Sequence, residues 1–169
     1  MKKNILILMS IALFSCSKQE NKTYFSNEAL AEKVLAVSGA EITLKSVFEK
    51  YKGKTVVVDV WASWCGDCLA NLPHLQELQV QTKDNNDLVY LFLSVDKKQE
   101  AWKNAIVKRK IVGEHYWLPL GMKKSVFGKD IVLDWIPRYM VIGKDGSIKL
   151  FKAIKATDPE IVKAIKADK

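Results

Sequence analysis

Cys65 and Cys68 stand two residues apart in the segment Trp64-Cys65-Gly66-Asp67-Cys68. Two intervening residues let the sulfurs meet in a small ring that opens and closes reversibly. The reactive species is the thiolate, which the partial positive charge of a helix N-terminus favours over the thiol. The same pair could supply half of a zinc site, but zinc normally takes four ligands. Cys16 is taken up by the lipid anchor that the N-terminal segment implies, so only His74 and His115 remain as further donors, and His74 lies on a helix leading away from the pair. A purely structural bridge is the third reading. Redox exchange is preferred over both.

Asp59 lies six residues before Cys65 in an otherwise apolar run over 55–61. A carboxylate buried there holds its proton to higher pH, which suits exchange with a thiol near neutrality. The alternative is an Asp at a strand edge facing water. Asp67 puts a negative charge beside the pair and opposes thiolate formation, which makes the couple more reducing unless solvent screens it. Cys65 precedes the helix, so it is expected to be the exposed, attacking thiol, with Cys68 one turn in and more buried.

The elements that must position these groups follow from periodicity. Residues 41–44 alternate as a short strand, and Ser46 is expected to cap a brief helix through Tyr51 that Gly53 ends. Residues 55–61 and 88–95 read as strands covered on both faces. Leu69, Leu72, Leu75 and Leu78 fall at helical spacing as far as about Gln81. Residues 97–110 form a charged helix and 122–127 a short one. Strands over 139–142 and 147–151 flank an Asp-Gly turn signal, hence a hairpin. Asp158 and Pro159 start a last helix as cap and first residue. The order predicts an α/β fold with a mixed central sheet and helices on both faces.

The chain has 169 residues, 49% hydrophobic and 27% charged, which excludes a disordered or low-complexity architecture and suits one domain. Lys and Arg total 27 against 19 Asp and Glu. The surplus includes lysines 97, 98, 103, 108, 110, 123, 124 and 129. Such a surface suits anionic membranes or partners, and the plainer reading is a solvated basic face. No aromatic-interleaved basic patch points to nucleic acid.

Met1-Lys2-Lys3-Asn4 is followed by ten apolar-run positions, 5–14, too short to span a bilayer but suited to a secretory leader. Leu13-Phe14-Ser15-Cys16 resembles the lipobox of bacterial lipoproteins, with Phe14 bulkier than the motif usually carries. That resemblance implies cleavage after residue 15 and lipid on Cys16. Residues 16–34 then form an anchor and tether, shading into a short helix over 27–34, and 35–169 form the domain.

The segment 57–68, from Val57 to Cys68, resembles the thioredoxin active site. Pro73 falls where thioredoxins kink the following helix, and Ile136-Pro137 resembles their cis-proline loop. The leader and the insertion before that loop are similar to the membrane-anchored TlpA/ResA-like branch. The resemblance implies a three-layer thioredoxin-like fold and a thiol–disulfide oxidoreductase. It gives Asp59 the task of deprotonating Cys68. A cis Pro137 would block metal ligation and shape the substrate surface, Ile136 would offer backbone hydrogen bonds, and Trp64 would pack beside the dithiol. Trp61 fits the core equally well, and Trp135 and Arg138 flank the loop, where they would either tune partner choice or serve as ordinary surface residues. The expected cofactor is none beyond the Cys65–Cys68 disulfide, with no metal. Expected partners are protein disulfides or dithiols and a membrane electron donor, for a monomer lipid-anchored in the bacterial cell envelope and facing the periplasm. The alternative is a non-catalytic module carrying copper or holding a partner, although no wider cysteine spacing or dedicated distal His supports it.

Overall fold

The structure, a computed structural model, describes residues 22–168. Cys16 and the expected leader over 1–15 lie outside the described residues. The chain enters through helix α1 (Asn27–Leu30) and an antiparallel pair, β1 (Lys33–Ala36) and β2 (Glu41–Thr43). Helix α2 (Leu44–Lys50) is capped by Thr43 and not by Ser46, because the Ser46 N–H donates to Thr43 Oγ1 at 3.2 Å. Strand β3 (Thr55–Trp61), helix α3 (Gly66–Gln81), strand β4 (Leu88–Ser94), helix α4 (Gln99–Arg109) and strand β5 (Glu114–Trp117) then alternate. Two short helices, α5 (Gly121–Lys124) and α6 (Val126–Asp130), precede the hairpin of β6 (Arg138–Ile142) and β7 (Ile148–Ala153). Helix α7 (Pro159–Ala167) ends the fold, its N-terminus capped by Asp158, which accepts the Glu160 N–H at 3.0 Å.

These strands form one sheet in the order β2-β1-β5-β4-β3-β6-β7. Strands β3, β4 and β5 are parallel, and β6 and β7 continue the sheet antiparallel. Every residue of β3 and β6 is buried, so both faces of the central sheet are covered. The β-branched run Thr55-Val56-Val57-Val58 fits that setting, each buried Val stabilising the fold by roughly 1.5–3 kcal/mol. In the hairpin turn, Gly146 takes φ +80°, a conformation that other residues rarely adopt.

Two strands escape the sequence pattern. Residues 33 and 34, expected to end a helix, instead open β1, which pairs with β2 and β5, because α1 stops at Leu30. Strand β5 has no alternation of its own and is fixed by its pairing with β4 and β1. Part of the expected tether also packs on the core: Phe25 and Ala29 are buried, with the Phe25 ring 5.2 Å from Phe48 and 5.1 Å from Phe127.

Candidate active site

The parallel strands bring the C-terminal ends of β3, β4 and β5 to one edge of the sheet, where an α/β fold presents its functional loops. There β3 runs out at Trp61, three residues turn, and α3 begins. Cys65 is the N-cap of α3, and its Sγ accepts the Cys68 N–H at 3.0 Å. One of the helix's unpaired amides is thereby spent on sulfur, in the place where a carboxylate or hydroxyl usually caps. The Cys65–Cys68 disulfide is closed, with Cα atoms 5.3 Å apart.

The expected contrast in exposure is absent. Cys65 is 6% and Cys68 5% exposed. They differ in what they face. Cys65 lines a surface groove of about 380 Å³ with Trp64, Asp67, Met122, Trp135 and Ile136, whereas Cys68 is not among its walls. Both Trp64 and Trp135 are more than half exposed.

The facing wall comes from the segment before β6. The Ile136–Pro137 peptide bond is cis, and the Ile136 carbonyl oxygen lies 3.5 Å from Cys65 Sγ. Arg138, expected at the surface, is fully buried. Its guanidinium donates to the carbonyls of Ile131 at 2.8 Å and Val132 at 3.1 Å and to Asp134 Oδ1 at 2.6 Å. Lys152 closes on the other Asp134 oxygen at 2.8 Å. Arg138 therefore ties down the loop that carries Trp135 and Ile136. Sequence reasoning misses it because its partners are backbone carbonyls of a loop whose path is set only by the fold.

Asp59 sits in the middle of β3, opposite Tyr139 of β6 and 6% exposed. Its Oδ1 has no hydrogen-bond partner, and neither have Trp61 Nε1 or the Tyr139 hydroxyl. Burial without a partner disfavours the charged carboxylate and pushes its pKa up to about 8. The same burial pushes the Tyr139 phenol up, with the nearby Asp59 adding to it. Asp59 is thus a buried group, as its apolar surroundings in sequence imply, and Trp61 is core.

A second carboxylate, Asp96, went unremarked in the sequence. It follows β4 and is almost wholly buried. Its oxygens accept the Ser63 N–H at 3.0 Å, the Ser63 hydroxyl at 2.6 Å and the Ser94 hydroxyl at 2.8 Å. It brackets the turn that delivers Trp64 and Cys65. Its one signal is being the first charged residue after an apolar strand, which many surface aspartates share. Of the histidines, His74 is exposed, and His115 lies on β5 with its ring 4.9 Å from that of Phe92.

The thioredoxin-like family model matches residues 53–148. Thiol-disulfide oxidoreductase ResA of Oceanobacillus iheyensis is 31% identical over 84 residues, 47% of this chain and 44% of that protein. The chain spans about half the length of the curated relatives it matches at that identity or above. Thiol-disulfide oxidoreductase ResA of Bacillus cereus is 27% identical over 164 residues, 88% of this chain and 87% of that one. The solved structure of a thiol-disulfide oxidoreductase from Bacteroides fragilis is similar with a TM-score of 0.67, over 80% of this chain and 94% of that one. At 21% identity that likeness carries the fold. With a cysteine disulfide at the N-terminus of α3, a cis-proline loop across from it and a family match over more than half its length, this chain belongs to the thioredoxin-like family.

Proposed function

We propose that the protein is a thiol–disulfide oxidoreductase that reduces protein disulfides through Cys65 and Cys68. The observation that carries this reading is the Cys65 sulfur, which caps α3 and lines the groove under the cis-proline loop. In the reduced protein the Cys65 thiolate attacks one sulfur of a substrate disulfide. A mixed disulfide forms, and the second substrate sulfur leaves as a thiolate that takes up a proton. Cys68 then gives its proton to Asp59 and attacks Cys65 Sγ. The Cys65–Cys68 disulfide closes, and the first substrate sulfur leaves as a thiolate that takes up a proton, Asp59 releasing the one it accepted. Two electrons and two protons pass to the substrate, and a partner dithiol must restore the enzyme. The buried, unpartnered Asp59 carboxylate supports its role as the acceptor, since a pKa near 8 matches a thiol. Trp64, Ile136 and cis Pro137 hold the substrate chain alongside.

The reading extends to place. The lipobox-like segment supports a lipid on Cys16 in a mature chain starting there, which would put the domain at a membrane of the cell envelope, facing the periplasm, with a membrane donor of electrons. Mass spectrometry of membrane fractions checks it: a lipidated peptide beginning at Cys16 is expected, and a soluble product with unmodified Cys16 contradicts it. The chemistry is tested by trapping. Cys68→Ser should accumulate covalent complexes through Cys65, and Cys65→Ser should abolish disulfide reduction and trap nothing. Trapping by Cys65→Ser alone would reverse the roles of the two cysteines.

A further inference from the structure

The groove at Cys65 does not end at its tryptophans. Met122 and Asp134 also line an adjoining depression whose other walls include Lys123, Lys129, Val132 and Leu133. Lys123, Lys124 and Lys129 are exposed, and among the described residues none of them forms an ion pair. Asp134, the carboxylate between the two hollows, is neutralised by Arg138 and Lys152. Its charge therefore does not cancel theirs. The surface is an apolar centre beside the sulfur, built from exposed Trp64 and Trp135, with exposed Val132 in the adjoining depression and an unpaired basic bank on the side of α5 and α6. Apolar centres with charged rims are the anatomy of protein interfaces, and a field of one sign steers partners of the other.

We infer that this face docks an acidic protein: an extended segment seats its disulfide and adjoining apolar side chains between Trp64, Trp135 and Met122, while neighbouring carboxylates meet Lys123, Lys124 and Lys129. This deepens the proposed oxidoreductase reading and rests on it. A concave groove at the sulfur fits a polypeptide carrying a disulfide better than a flat anionic bilayer.

The test uses three cystine peptides, identical except that Glu, Ser or Lys flanks the disulfide, and follows single-turnover thiol release by the reduced protein. The Glu peptide should react about tenfold faster than the Lys peptide at low ionic strength. The difference should vanish at about 0.5 M salt, where charges are screened within a few ångströms. Lys123→Glu, Lys124→Glu and Lys129→Glu together should reverse the order. Equal rates for the three peptides, or a preference that the charge reversal leaves in place, overturn the inference while leaving the oxidoreductase reading standing. Reduction of none of them removes that reading and this one with it. Equal peptide rates together with binding to phosphatidylglycerol vesicles that the charge reversal abolishes would assign the face to a membrane and overturn the inference.

Discussion

Asp59 and Asp96 are both buried carboxylates, one inside β3 and the other just past the neighbouring β4, yet their surroundings are opposite. Asp96 accepts hydrogen bonds from two hydroxyls and a backbone amide. Asp59 has an oxygen with no partner at all. Burial with donors turns a carboxylate into a bracket that fixes a turn. Burial without them leaves it holding its proton to about pH 8, ready to exchange. The fold thus gives one aspartate the task of geometry and leaves the other, without donors, as the proposed acceptor of the Cys68 proton, on adjacent parallel strands that reach the same edge.

Three substitutions separate the two roles. The largest effect is kinetic: Asp59→Asn should slow closure of the Cys65–Cys68 disulfide near neutral pH by about 100-fold, the scale of a positioned general base. Stopped-flow measurement with a mixed disulfide on Cys65 reads it, and an unchanged rate would remove Asp59 from the mechanism. Next, Asp96→Ala leaves three donors without their acceptor and should cost about 3 kcal/mol of stability by urea denaturation. A loss under about 1 kcal/mol would mean that the bracket is not holding the turn.

Asp59→Asn should move stability the other way. The folded chain keeps this proton up to about pH 8, whereas the unfolded chain releases it near the ordinary 3.8. The unfolded state therefore binds fewer protons between those values, and stability falls as pH rises through that window. Removing the acid should flatten the slope and make the variant more stable than the wild type at pH 8. A variant that is equally stable at pH 8 would contradict the raised proton affinity. The smallest effect is Ser63→Ala, about 1 kcal/mol, since it removes one of the bonds to Asp96 and leaves the amide bond intact.

The sequence made Asp59 legible and hid Asp96 for one physical reason. A charged residue inside an apolar, β-branched run stands out by pattern, which favours burial over a place at a strand edge facing water. Asp96 follows its strand in a charged stretch, and only the folded turn from β3 brings Ser63 to it. Arg138 is similar: its burial depends on the path of residues 131–134, which no periodicity encodes. The dithiol, the helix it caps and the hairpin were readable because each is local. Strand β5 was not, because its partners are distant in sequence. The groove that distinguishes Cys65 also depends on distant loops.

The measurement that bears most directly on the account is the rate at which Cys68 resolves a mixed disulfide on Cys65, followed against pH in the wild type and in Asp59→Asn. The wild-type rate should rise with pH and level off above about 8, as Asp59 becomes ionised. The Asn variant should lose that step and follow only the ionisation of the thiol itself. Superimposable profiles would contradict the assignment of Asp59 as the proton acceptor of the dithiol.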